Sequence, residues 1–177
     1  KAIINATLVM RDHLIPDAAL LIEDGRIASF GEMRKTQVPK GCEIIDAKAQ
    51  FVGPGLVDIH THAGEQIEFI HDPAGAAQHH LKRGTTTVLP ALYFNMDVQG
   101  WLDSIALIRE AMKQPECKNI AGLYMEGPYL NPKFGCERES NPWTGPVDKA
   151  RYQPIIDAAK DLARVWGLAP ERENILE

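Results

Sequence analysis

Cysteine is scarce in this chain. Cys42, Cys117 and Cys136 are odd in number and widely spaced among 177 residues. They form no CxxC pair, which argues against a closed Cys-rich zinc site and for reduced thiols in a cytoplasmic protein. No apolar run approaches the ~20 residues of a membrane span, and the first residues show no signal-peptide pattern. Positive charge is short as well: Asp and Glu outnumber Lys and Arg by 24 to 19, for a net charge of -5, and no basic stripe interleaves with aromatics. Neither nucleic acid nor a membrane is therefore an expected partner. The chain also lacks the GxGxxG turn and the phosphate-loop lysine motif expected of a doubly wound nucleotide fold. Finally, no histidine follows Glu126.

What is present is concentrated at His60-Thr61-His62, which ends the apolar run Phe51-Val52-Gly53-Pro54-Gly55-Leu56-Val57-Asp58-Ile59. Alternate residues of a strand share a face, so two imidazoles at i and i+2 project side by side. Neutral imidazole is the commonest ligand for zinc-like metals. The preceding run reads as a buried parallel strand, and its carboxyl end is where α/β enzymes keep their sites.

The spacing predicts a small β unit over residues 1–52. Its strands are expected at 3–10, 18–23, 26–30 and 43–45, with a hairpin turn at Asp24-Gly25 and no helix. Strand and helix alternate over 53–177. Strands are expected at the run ending in His62, at Thr85–Leu89, at Ile120–Met125 and at Val165–Leu168. Helices are expected at Pro73–Arg83, closed by Gly84, after Asp97, at Asp148–Leu162, and from Pro170. Repeated βα units imply a parallel sheet. The proline- and glycine-rich stretch from Gly127 to Pro146 is too long for an idle connection and suggests a functional loop.

Tyr124-Met125-Glu126-Gly127-Pro128 is the second feature. Glu126 ends the third of these strands, and in a (β/α) barrel that places its carboxylate on the rim of His60 and His62. Two imidazoles and a carboxylate suit Zn, Fe, Mn or Co.

These residues carry a resemblance. The segment Pro54–His62 resembles the first metal strand of the amidohydrolase superfamily, and the Asp24–Ile27 hairpin with Phe30-Gly31 resembles its N-terminal β domain. Arg83-Gly84-Thr85-Thr86-Thr87, Glu126-Gly127-Pro128-Tyr129-Leu130-Asn131-Pro132 and Gly167-Leu168-Ala169-Pro170-Glu171 narrow it to the N-acetylglucosamine-6-phosphate deacetylase branch. The resemblance implies the first half of a (β/α)8 TIM barrel of the metal-dependent hydrolase type, strands one to four, over 53–177. A small β-sandwich domain over 1–52 would precede it. It further implies one or two divalent ions, one held by His60 and His62 with Glu126 binding a second or bridging the two, and hydrolysis of an N-acyl amino-sugar amide by metal-activated water in a homodimeric full-length protein. The general-base Asp and two more histidine ligands are expected beyond Glu177, so no catalytic base is expected in this chain. Asn131, Cys136 and Glu137 are candidate substrate-binding residues. Deacetylases of this branch carry a histidine where Glu137 follows Gly135-Cys136, and that departure points to a different, unphosphorylated substrate.

Other readings remain open. A cyclic-amide hydrolase or a deaminase of the same superfamily is one, and a non-catalytic half-barrel with two unpaired sheet edges is another. Asp58 faces the same way as the histidines, either orienting a ligand or serving as an interior acid. His79 and His80 are read as solvated or core-lining and His13 as surface. Tyr129, Phe134 and Trp143 either wall a pocket or pack the loop, while Trp101 and Trp166 belong to the core.

Overall fold

The structure, a computed structural model, describes residues 1–134 and 139–175. Two compact units divide at Pro54.

The first unit, Lys1–Pro54, carries five strands: β1 (Ala2–Val9), β2 (Leu14–Glu23), β3 (Arg26–Glu32), β4 (Ile44–Asp46) and β5 (Phe51–Val52). They make one sheet of order β3-β2-β1-β4, with β5 also pairing β1. Glu23 pairs Arg26 across Asp24 and Gly25, whose φ angles of 49° and 73° are those of the two-residue turn expected there. β2 is longer than the alternation predicts: it begins at Leu14, and its register with β1 shifts across Pro16 and Asp17 and again between Ala18 and Leu20. The only helical piece is a single 3-10 turn, Met33–Lys35. Ala6, Leu8 and Ala18 form this unit's small buried core.

The second unit opens with β6 (Leu56–Thr61), followed by the short hairpin β7 (Ala63–Gly64) and β8 (Ile67–Glu68). The chain continues through α1 (Pro73–Lys82), β9 (Thr85–Tyr93), α2 (Val98–Ala111), β10 (Leu123–Glu126), α3 (Lys149–Ala159) and β11 (Ala163–Gly167). Asp72, Asp97 and Asp148 cap the three helices, each accepting a backbone N–H of the first turn. Gly84, at φ 90°, follows α1 where a left-handed residue stops a helix. The four main strands are parallel and lie in the order β11-β10-β9-β6. Chain order and sheet order run together, so the described strands contain no reversal of the kind that creates a nucleotide crevice.

One face of this sheet is covered by helices. Val88, Leu92, Leu123 and Met125 meet Trp101, Ile105, Ile108 and Ile155 in a single buried cluster. The alternate residues Tyr93, Tyr124 and Glu126 therefore project from the opposite face. β6 is an outer strand, and its Leu56, Val57 and Ile59 are exposed.

Three expectations are corrected here. The run 51–59, expected as one buried parallel strand, is divided: β5 pairs with β1 in the first unit, and in β6 Leu56, Val57 and Ile59 are exposed. β9 does not stop at Leu89 but runs through Pro90 to Tyr93. Pro90 has no N–H to offer, and the β6–β9 register is irregular between Asp58 and Thr61, the residue that faces it. Nor does Pro170 open a helix among the described residues. Arg172 N–H returns to the Ala169 carbonyl and Ile175 N–H to that of Arg172, a pair of turns instead. None of the described helices is long and apolar enough to cross a membrane.

α2 and α3 are tied by an ion pair. Arg109 donates to both oxygens of Asp161 at 2.6 and 2.7 Å and to the Ala158 carbonyl at 2.7 Å. The Arg109 guanidinium holds the Asp161 carboxyl down at about 2, against an ordinary value of 3.8. A folded value below the unfolded one contributes stability that is present above the unfolded value and disappears as pH falls through the folded one. Asp161→Asn is therefore expected to lower the unfolding midpoint at pH 7, and its difference from the parent chain to vanish towards pH 2. Midpoints followed by circular dichroism across that range check this; an equal difference at both ends would contradict it.

Candidate metal centre

Three side chains converge at the carboxyl ends of β6 and β10. His60 Nε2 lies 3.2 Å and His62 Nε2 3.3 Å from the same oxygen, Oε2 of Glu126. All three ligand atoms fall within 4.8 Å of one another, the only His/Cys/Asp/Glu group of this kind among the described residues. The carboxylate is mostly buried, and the imidazoles are about 40% exposed (39% and 41%). The sequence produces this arrangement through register. Glu126 stands opposite Tyr93 on β9 and Gly167 on β11, at the last rung of the parallel ladder before Gly127 turns away at φ 111°.

The donor chemistry asks for a cation. His62 Nδ1 lies 3.0 Å from the Ala91 carbonyl, which can only accept. In the neutral ring the proton therefore sits on Nδ1 and the Nε2 lone pair faces Glu126. A single proton bridges only one imidazole–carboxylate pair, whereas a metal ion takes all three lone pairs at once. Ligand atoms on a tetrahedron of about 2.0 Å bonds stand about 3.3 Å apart. The two contacts to Glu126 match that separation, so the residues present fit a divalent ion.

The surroundings fix this geometry. Asp58 Oδ1 accepts the backbone N–H of His60 at 3.1 Å, so its contact is with the main chain and not with a ligand ring. His80 Nε2 bonds the Ala63 carbonyl, next to His62, at 3.0 Å, and its ring stacks on Phe69. His79 pairs with Glu65 and His71 with Glu68, outside the cluster. His13 is exposed beside Asp12.

The loop after Glu126 is anchored on both sides. Tyr129 and Trp143 are buried against each other at 5.1 Å, so they pack the loop. Trp143 Nε1 donates to the Met96 carbonyl at 2.7 Å, and the Arg151 guanidinium lies over its ring. Arg172 gathers the carbonyls of Leu130, Trp143, Thr144 and Gly145 and lies over Tyr129. Asn131, a candidate for substrate, has its amide engaged: Nδ2 donates to Glu171 at 2.6 Å and Oδ1 accepts Lys133 N–H at 2.9 Å. That bond, with a backbone contact, draws the Glu171 carboxyl below its usual range. Phe134 is exposed. Cys136 and Glu137 lie outside the described residues.

Two residues beside the cluster escaped the sequence analysis. Tyr124 stacks on His60, with ring centres 4.2 Å apart, and Tyr93 meets His62 edge-on at 4.6 Å. The signal was available. Tyr124 precedes Glu126 by two residues and must share its face.

No protein-family model matches the chain. Among curated relatives, it is 33% identical over 104 residues to an adenine deaminase of Paracoccus denitrificans, covering 58% of this chain and 17% of that protein. It is 24% identical over 182 residues to an N-acetylgalactosamine-6-phosphate deacetylase of Escherichia coli O157:H7, covering 96% of this chain and 44% of the relative. The fold is that of the N-acetylglucosamine-6-phosphate deacetylase from Pasteurella multocida, with a TM-score of 0.77 at 24% identity over 97% of this chain and 45% of that structure. The relatives and structural neighbours are thus deacetylases of the branch that the motifs resemble, and related amidohydrolases. The chain spans less than half the length of each of these three proteins.

Proposed function

We propose that His60, His62 and Glu126 hold a divalent metal ion at the centre of an amidohydrolase that removes the acyl group from an N-acylated amino sugar. The observation that carries this is the convergence of His60 Nε2 and His62 Nε2 on Glu126 Oε2 at 3.2 and 3.3 Å. Unreversed strand order supports the four parallel strands as one wall of a (β/α)8 barrel, with the centre at its carboxyl rim, and the N-terminal sheet is read as one layer of a β-sandwich. A divalent ion held there supplies Lewis acidity, polarising an amide carbonyl and making water nucleophilic near neutral pH.

The chain's own residues prepare the site for that chemistry. Glu126 contributes the anionic ligand. The Ala91 carbonyl sets the tautomer of His62, and the Asp58 carboxylate holds the main chain at His60. Arg172 donates to the Leu130 and Trp143 carbonyls and Trp143 Nε1 to that of Met96, which ties down the described parts of the loop that leaves Glu126.

Deacetylation is favoured over the alternatives by coverage, since the deacetylase relatives align with 96% and 98% of the chain. Deamination is the second reading, carried by the 33% identity over 104 residues to an adenine deaminase. One assay separates them. The metal-loaded full-length protein is offered N-acetylglucosamine, its 6-phosphate and adenine, and acetate and ammonia are measured independently. Acetate from either sugar is expected, and ammonia from adenine with no acetate would replace this reading by the second.

A further inference from the structure

We infer that Tyr124 is a positioning residue for the metal centre, holding the His60 imidazole by its ring face as the Ala91 carbonyl holds His62 by a hydrogen bond. The inference rests on the metal-centre reading above and concerns how its two imidazoles are kept in place.

The two rings are restrained differently. His62 is fixed at both ends: Nδ1 bonds Ala91 and Nε2 faces Glu126. His60 has the Glu126 contact at Nε2 and no hydrogen-bond partner at Nδ1 among the described residues. An imidazole held at one nitrogen is free to turn about its χ angles unless its faces are packed. Here they are. The Tyr124 ring lies 4.2 Å from it at an interplanar angle of 29°, and His62 meets it edge-on at 5.4 Å and 80°.

Sequence and register give Tyr124 this task. It is two residues before Glu126 on β10 and shares its face, beyond Leu123 and Met125 on the helix-packed side. Its cross-strand neighbours are Ala91 on β9 and Val165 on β11, and its hydroxyl reaches towards Gly167. The glycine at 167 leaves room for the hydroxyl end of the ring over β11.

Stacking here is more than steric. Coordination draws electron density out of an imidazole, and an electron-poor ring gains more from the negative face of a tyrosine. The contact therefore strengthens when the ion is bound, which makes Tyr124 a contributor to metal affinity. Tyr93 touches His62 edge-on, where a hydrogen bond already sets the ring, so its removal costs less.

The test is Co²⁺ titration, followed by visible absorption and calorimetry, on the parent chain and on Tyr124→Leu, Tyr124→Phe, Tyr93→Leu, His60→Ala and His62→Ala. Tyr124→Leu is expected to weaken binding about tenfold, the scale of losing a partner that orients a ligand, and Tyr124→Phe to restore it. Tyr93→Leu is expected to cost less than Tyr124→Leu. Parent-like affinity in Tyr124→Leu, with His60→Ala and His62→Ala both abolishing binding, overturns this inference and leaves the metal centre standing. Parent-like affinity in both histidine variants overturns the centre and this inference with it. Equal losses in the Leu and Phe variants also overturn it, since the hydroxyl would then be what matters. Should Tyr124→Leu lose its far-UV dichroism, the His60 ring protons of the parent chain decide. Upfield ring-current shifts support the stack, and unshifted resonances overturn it.

Discussion

Glu126→Gln is expected to abolish tight binding of a divalent ion. Glu126 Oε2 is the one atom that both imidazoles face, and it is the only anionic ligand in the group. The amide keeps the shape and removes the charge. It also presents either a weak neutral acceptor or an NH₂ donor to lone pairs that need a cation. The expected loss exceeds about 100-fold, the upper end of what removing a mere orienting partner costs. Calorimetric titration with Zn²⁺ or Co²⁺ measures it. Glu68→Gln is the matched control: Glu68 pairs with His71 outside the cluster, and its loss should leave the affinity unchanged. Unchanged affinity in Glu126→Gln would remove Glu126 from the centre.

The second large effect is on stability. Trp143 is fully buried, packs on Tyr129, donates Nε1 to the Met96 carbonyl and lies beneath the Arg151 guanidinium. Trp143→Ala removes all of these and opens a cavity, for an expected loss of about 3–5 kcal/mol. That is a large share of the about 5–15 kcal/mol by which domains are stable. The same change removes the side-chain tie between the loop that leaves Glu126 and the Met96 carbonyl. Phe134→Ala on the same loop removes an exposed ring (73% accessible) and is expected to stay within about 0.5 kcal/mol. Urea denaturation of the three chains checks the contrast; similar midpoints for Trp143→Ala and the parent would contradict it.

The periodic parts of this molecule could be read directly. Asp24-Gly25 announces its hairpin because both positions need φ above zero, and Asp97 and Gly84 announce helix ends through orphan backbone groups. The convergence of His60, His62 and Glu126 followed from two strand ends and a parallel sheet. What escaped was set by tertiary contact. The strand expected over Thr85–Leu89 runs on through Pro90 to Tyr93, at the point where its register with β6 is broken. β7 and β8 have two residues each, too few to show any period. Proline at 170 fits a first helical turn as readily as the loop it enters, where Arg172 is committed to four carbonyls of a distant segment. The roles of Tyr93 and Tyr124 depend on which ring each one touches, and alternation gives a face but no partner.

The most direct measurement is anomalous scattering from crystals of the chain grown with Zn²⁺ or Co²⁺. The account predicts one strong peak about 2.0–2.2 Å from His60 Nε2, His62 Nε2 and an oxygen of Glu126. A peak at His71 or His79 instead, or none at saturating ion, would contradict it.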